Sequence, residues 1–321
     1  MCFHSNSLTG CVIFKGKLER ERVAISKRKN VNKIIMKTSP NEILWIWYVS
    51  MCTISIVNMS MLIYLYKKIK ATTFYEKIMK SLAIPWTFEC GYRCFFPSLY
   101  LQRYVFWDTP LNSILIDRTL AFIGEMCWVT QTALALVYVS YDVLGKRTTW
   151  IELTGVAAVL VYLVAEFTSY YNTATTNEFY AALEVILDGA SYLLMWPASM
   201  YLFCKCQGRI FGSSGKAYLF VMILLCLIYP AYNFFVDAPM YMERYHEDQR
   251  NHKSYFTFWS GLKDATVRRV PTRQYEDWSQ DMGWMTAYFT IGVWSSLLMM
   301  YAPRIVSSLK RAVTVNLPLL V

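Results

Sequence analysis

Residues 43–66, ILWIWYVSMCTISIVNMSMLIYLY, carry no charge. As a helix rising ~1.5 Å per residue, this stretch exceeds the ~30 Å hydrocarbon core of a bilayer. Trp45, Trp47 and Tyr48 stand at one end and Tyr64 and Tyr66 at the other, as aromatic belts do at membrane interfaces. Five further apolar blocks follow, at 111–140, 150–171, 179–204, 217–236 and 283–303. The pattern predicts an all-α, polytopic transmembrane helix bundle of six spans. A seventh candidate, 81–101, contains Pro85, Glu89, Arg93 and Pro97 and reads as an interfacial or re-entrant segment.

The bulk composition agrees. Of 321 residues, 55% are hydrophobic and 17% charged, against roughly 25% charged in an average soluble domain. That balance excludes a disordered chain and a small disulfide scaffold. The net charge of +10 is concentrated before residue 41, in a basic, disordered tail over 1–41. No basic stripe interleaved with aromatics occurs, so nucleic acid is excluded as a partner. The bilayer itself, with anionic headgroups at the tail and at 67–80, is the expected partner. KKIKATTFYEKIMK at 67–80 suits a short basic helix lying on the membrane surface.

The expected layout is thus the tail, a membrane domain over 42–304 with interfacial stretches at 67–103 and 237–282, and a short C-terminal tail over 305–321. We call side B the face where the 111–140 span begins, and side A the other. The connections 67–110 and 237–282 then roof side B. Trp259, Trp278 and Trp284 suit an interface-hugging helix there. The short side-A loops carry Lys146, Arg147, Lys205, Arg209 and Lys216, which favours A as cytosolic. Nine cysteines give two close pairs, Cys90/Cys94 and Cys204/Cys206, neither spaced as a zinc site. A Cys90–Cys94 disulfide is open if that stretch is a loop facing an oxidising space.

Charges inside the spans are the informative exception. Asp117, Arg118, Glu125, Glu166, Glu184 and Asp188 all lie within them. Each costs about 2.5–3.5 kcal/mol near the bilayer centre, so a group of them needs a reason. Counted from the span ends, all six fall in the B half or at the midplane. Arg118 and Glu125, seven apart, share a helix face, and so do Glu184, Asp188 and Ser191. Asp117 is turned about 100° from Arg118 and points elsewhere. The acids outnumber the one base, and the surplus must be protonated, metal-bound or in water. These six residues are the candidate ligand- or ion-binding site.

Familiar catalytic signatures are missing: no G-x-G-x-x-G, Walker loop, G-x-S-x-G or H-E-x-x-H. The three histidines lie outside the spans, and no motif names a cofactor. Three classes of function remain. Cation- or proton-coupled transport of a small solute or ion ranks first. A lipid-modifying membrane enzyme using the same carboxylates comes next, beside a receptor or structural subunit with membrane-protein partners.

Overall fold

The computed structural model describes residues 39–206 and 213–300. The expected C-terminal tail at 305–321 lies outside these, as does the expected N-terminal tail at 1–41 up to residue 38, whereas Pro40 and Asn41 already belong to a helix. Its first helix, α1 (Pro40–Lys68), opens on a capping box: Ser39 Oγ accepts from Glu42 N, and Glu42 Oε2 accepts from Ser39 N at 2.8 Å. The two side chains thereby satisfy donors that a helix start leaves without partners. A second capping box, Thr73 with Glu76, starts α2 (Phe74–Phe95) only five residues after α1 ends. Lys80 Nζ reaches back to the carbonyls of Tyr66 and Ile69, both at 2.8 Å, and caps the end of α1.

These caps correct the reading of 67–80. It is not one surface helix but the end of α1, a tight turn and the first turns of α2. The stretch 81–101, expected as an interfacial or re-entrant segment, is helical up to Phe95. α2 runs antiparallel to α1 along the bundle, with Ser55 donating to Gly91 O, and Tyr48 to Phe95 O, at successive levels. Its other side meets α3 (Ile114–Leu144), where Gly124 admits the Glu89 stem: a Cβ there would lie 2.9 Å from Glu89 Cβ. Cys90 and Cys94 are buried free thiols on this helix rather than a loop disulfide. Because α2 returns the chain, the 69–73 turn lies on side A. Only the connection from 96 to 113 reaches side B.

The remaining helices continue the antiparallel packing. α3 ends at Gly145, left-handed at φ 66°, and α4 (Thr149–Thr175) runs back. α5 (Glu178–Cys206) follows α4 after two residues, Thr176 and Asn177. α6 (Ser213–Tyr232) continues through a π-turn, Asn233–Asp237, into α7 (Ala238–Arg250), so the apolar block expected to end at 236 forms the start of a longer rod. The last pass is α10 (Met282–Ala287), a second π-turn (Tyr288–Gly292) and α11 (Val293–Met299).

Side B is closed by a small cap. β1 (Ser98–Leu99) and β2 (Tyr104–Val105) form a hairpin, and β3 (Val270–Pro271) pairs parallel to β2. α8 (Phe258–Val267) lies against the end of α4, where Gly261 meets the Ala174 carbonyl. α9 (Tyr275–Trp278) ties the cap to the start of α1 through Asn41, which accepts from Tyr275 N at 2.9 Å. Trp278, expected at the membrane interface, is fully buried instead and packs edge-on to Phe106. Arg103 anchors the cap: its Nε meets Asp264 at 2.9 Å, and its Nη atoms reach the Tyr100, Ala174 and Gly261 carbonyls. Burial lowers this guanidinium from its ordinary range, and the Asp264 contact opposes that shift.

Among the described residues, five helices are long and apolar enough to cross a membrane: Pro40–Lys68, Ile114–Tyr141, Thr149–Thr175, Glu178–Lys205 and Tyr218–Arg250. They present apolar side chains outward, such as Ile46, Val49, Ile56 and Ile63 on α1, and Leu153, Val156, Leu160 and Phe167 on α4. Such faces are far larger than a water-soluble monomer exposes. The arrangement, apolar outside and charged within, is compatible with a polytopic membrane protein.

Candidate functional site

Every charged residue picked out inside the spans comes to one place, between α2, α3, α4, α5 and the last pass. Arg118, one turn into α3, is its centre. Its Nη2 donates to Glu166 Oε2 on α4 at 2.6 Å and to Glu125 Oε2, two turns further along α3, at 3.4 Å. Its Nη1 donates to Glu184 Oε1 on α5 at 3.5 Å. Three carboxyls from three helices thus surround one guanidinium. All four side chains are buried.

Asp117 faces away from this group, as its helical phase requires. Its Oδ1 sits 3.2 Å from Arg93 Nε on α2. Arg93 Nη1 also contacts Glu89, one turn earlier, at 3.0 Å and Glu125 at 3.9 Å. Glu125 therefore lies between the two guanidiniums and joins two clusters into one network. Glu89 and Arg93 were not among the expected site residues. The signal was present: Glu89 and Arg93 stand at i, i+4, the spacing of a helical ion pair. In a segment read as interfacial, those charges looked solvated.

Neutral side chains complete the network. Tyr162 on α4 donates to Glu125 Oε2 at 3.2 Å, and Tyr288 donates to Glu125 Oε1 at 2.6 Å. Tyr288 belongs to the π-turn of the last pass, which re-aims one residue of that helix inward. Ser169 donates to Glu184 Oε1 at 2.6 Å, and Asn172 to Glu184 Oε2 at 3.4 Å. Asp188, one turn beyond Glu184, is buried but forms no ion pair among the described residues.

Six carboxyl groups are therefore gathered around two guanidiniums. Glu125 Oε2 and Glu166 Oε2 both accept from the same Arg118 Nη2, at 3.4 and 2.6 Å. Toward side A the charges stop at an aromatic layer. Trp86 stacks on Trp128 at 4.6 Å, and Trp128 contacts Tyr192 at 5.3 Å and Tyr229 at 5.9 Å. Below it, Gln131 donates to the Met79 and Ser296 carbonyls and accepts from Ser296 Oγ at 2.6 Å. Toward side B the hairpin and α8 close the bundle.

Comparison with known proteins finds no match: no family model, no curated protein and no solved structure.

Proposed function

We propose that this chain is a multi-pass transporter in which movement of a small solute or ion is coupled to protons or another cation. Arg118, Glu125, Glu166, Glu184, Asp188 and Asp117, joined by Glu89 and Arg93, are its charge-binding site. The observation that carries this reading is the excess of buried acid. Six carboxyls against two guanidiniums, away from bulk water, call for protons or a bound cation to balance them. Such a site, blocked by an aromatic layer on one side and a folded cap on the other, is what an occluded intermediate of alternating access requires.

The test is potential-driven uptake into liposomes holding the purified protein, read with a pH-sensitive dye and with sodium or potassium tracers. Glu184→Gln and Glu125→Gln are expected to abolish uptake, while Arg147→Gln, on the surface, leaves it unchanged. Absence of any driven flux, or flux indifferent to both acid substitutions, overturns the reading.

One observation favours a second reading. The enclosure of Arg118 by three carboxyls also suits a fixed lock between helices. A lock without function tolerates replacement of Arg118, Glu125, Glu166 and Glu184 together by apolar residues of similar size, which for buried ion clusters is often neutral or stabilising. Retained folding together with retained flux in that variant would favour the lock.

For topology we take α2 as a seventh pass, which sets both the start of α1 and the cap on side B. The side-A turns 69–73 and 145–148 carry Lys70, Lys146 and Arg147 and no acid. By the excess of basic residues side A is cytosolic, and Lys67, Lys68 and Lys77 meet anionic headgroups there. Impermeant labelling of Lys146→Cys from the cytosolic face alone is the expected result. Labelling from the opposite face sinks this orientation.

A further inference from the structure

Beside the acidic network, the cap contains a cavity of about 410 Å³, within the ~300–1,000 Å³ of small-molecule sites. Arg103, Tyr104, Thr176, Glu178, Lys253 and Arg268 line it. Glu178, the first residue of α5, is 4% exposed. Its Oε2 has no hydrogen-bond partner, and no basic group forms an ion pair with it among the described residues. An anionic oxygen kept in that state costs free energy unless a donor occupies the space in front of it.

The basic groups of the wall are unequally engaged. Arg103 is consumed by Asp264 and three carbonyls. Lys253 is held by Asp248 at 2.7 Å. Arg268 only grazes Asp264 at 4.0 Å, a carboxylate already taken by Arg103, and its side chain is 54% exposed. What remains is one acid without an ion pair and one guanidinium held only by a 4.0 Å contact. Counting Asp248 and Asp264 with the lining groups, three positive charges meet three negative ones. A lone cation or anion upsets that balance, whereas a molecule carrying both signs keeps it.

The backbone here is also unusual. Among the described residues, the non-glycine ones with positive φ are Arg103 (61°), Thr176 (57°) and His252 (50°). Two of them line the cavity and the third precedes Lys253. Strained conformations of this kind persist where the surroundings over-determine them, and they gather at binding sites.

We propose that this cavity binds a zwitterion carrying a primary ammonium and a singly charged anionic group, the ammonium on Glu178 and the anion on Arg268. The phosphoethanolamine headgroup of a lipid and a free amino acid share this chemistry. The site lies between the cap and the start of α5 and does not depend on the transport reading. Glu178 is six residues from Glu184 on α5, ~9 Å along the helix axis.

Calorimetric titration of the full-length protein in detergent tests the site, with glycerophosphoethanolamine, glycerophosphocholine and alanine as probes. Glycerophosphoethanolamine or alanine is expected to bind at least about tenfold more tightly than glycerophosphocholine, whose quaternary ammonium offers Glu178 no N–H. Preference for the first assigns the lipid headgroup, and preference for alanine the free amino acid. Glu178→Gln and Arg268→Gln, each close in shape to the original residue, are expected to weaken binding at least about tenfold with unchanged melting temperature. Should Glu178→Gln fail to fold, the exposed Arg268→Gln carries the test. Equal binding of glycerophosphocholine, no binding of any probe, or binding that survives Arg268→Gln overturns the proposal.

Discussion

The two halves of the bundle solve the same packing problem with different materials. The capped half fills its centre with eight charged side chains held by one another and by tyrosine, serine and asparagine. The opposite half fills it with stacked Trp86 and Trp128, Tyr192, and one amide, Gln131. Aromatic packing is tolerant, since each ring contributes by area and offset contact. A buried charge network is intolerant, since each member is the counter-charge of another. The two halves should therefore respond unequally to comparable substitutions.

Arg118→Ala gives the sharpest contrast. It strands Glu125, Glu166 and Glu184 without their shared cation, and removal of one partner from a buried ion network costs about 3–5 kcal/mol. A large fall in melting temperature in detergent, with loss of the monodisperse species on gel filtration, is expected. A melting temperature within a degree or two of wild type would show that the network rearranges freely. Gly261→Ala comes next. Its Cβ would sit 1.7 Å from the Ala174 carbonyl oxygen, a backbone atom, so α8 must move away from α4. Overpacking costs typically ~1–3 kcal/mol, and here it falls on the cap, so faster proteolysis within 250–274 with an intact bundle is the expected signature. Unchanged cleavage would refute close docking of α8.

In the aromatic half, Gln131→Leu removes two donated bonds and one accepted one, at about 1–2 kcal/mol. It should leave flux and the charge network intact, and a loss comparable to that of Arg118→Ala would erase the distinction between the halves. The smallest effect concerns Asp281, at the edge of the cap. Burial raises its pKa above the usual 3.8, against the hydrogen bond from Trp284 and the charge of Arg244. A raised folded-state value means that its contribution is fully present below the unfolded pKa and is lost as pH rises through the folded one. Asp281→Asn, which keeps an acceptor for Trp284, should flatten this part of the decline. Melting curves from acid to neutral pH that stay parallel for the two proteins would exclude it.

Much of this contrast is written in the sequence, because membrane spans separate apolar from charged positions so strongly. The charges of α3, α4 and α5 were legible from depth alone. Helical phase even separated Asp117 from Arg118, and the structure gives them different partners. α2 was not legible, for a physical reason. Glu89, Arg93 and Pro85 lower its apolar character below that of a span. Only the neighbouring α3, which supplies Asp117 and Glu125, reveals that these charges are buried. The Thr73–Glu76 capping box was a local signal of where α2 starts. The cap was invisible because each of its strands contributes two residues, too few for any periodicity.

The parallel pairing of β2 with β3 joins residues 166 positions apart in the chain, from Tyr104 to Val270. At the ~5–20 residues per second of synthesis, the second strand emerges roughly 10–30 s after the first. Through most of that interval α3, α4 and α5 are made while the cap over their charged end is still incomplete. Water can therefore hydrate Arg93, Arg118 and their acids while the helices find one another, and the lid on this chemistry is fitted last.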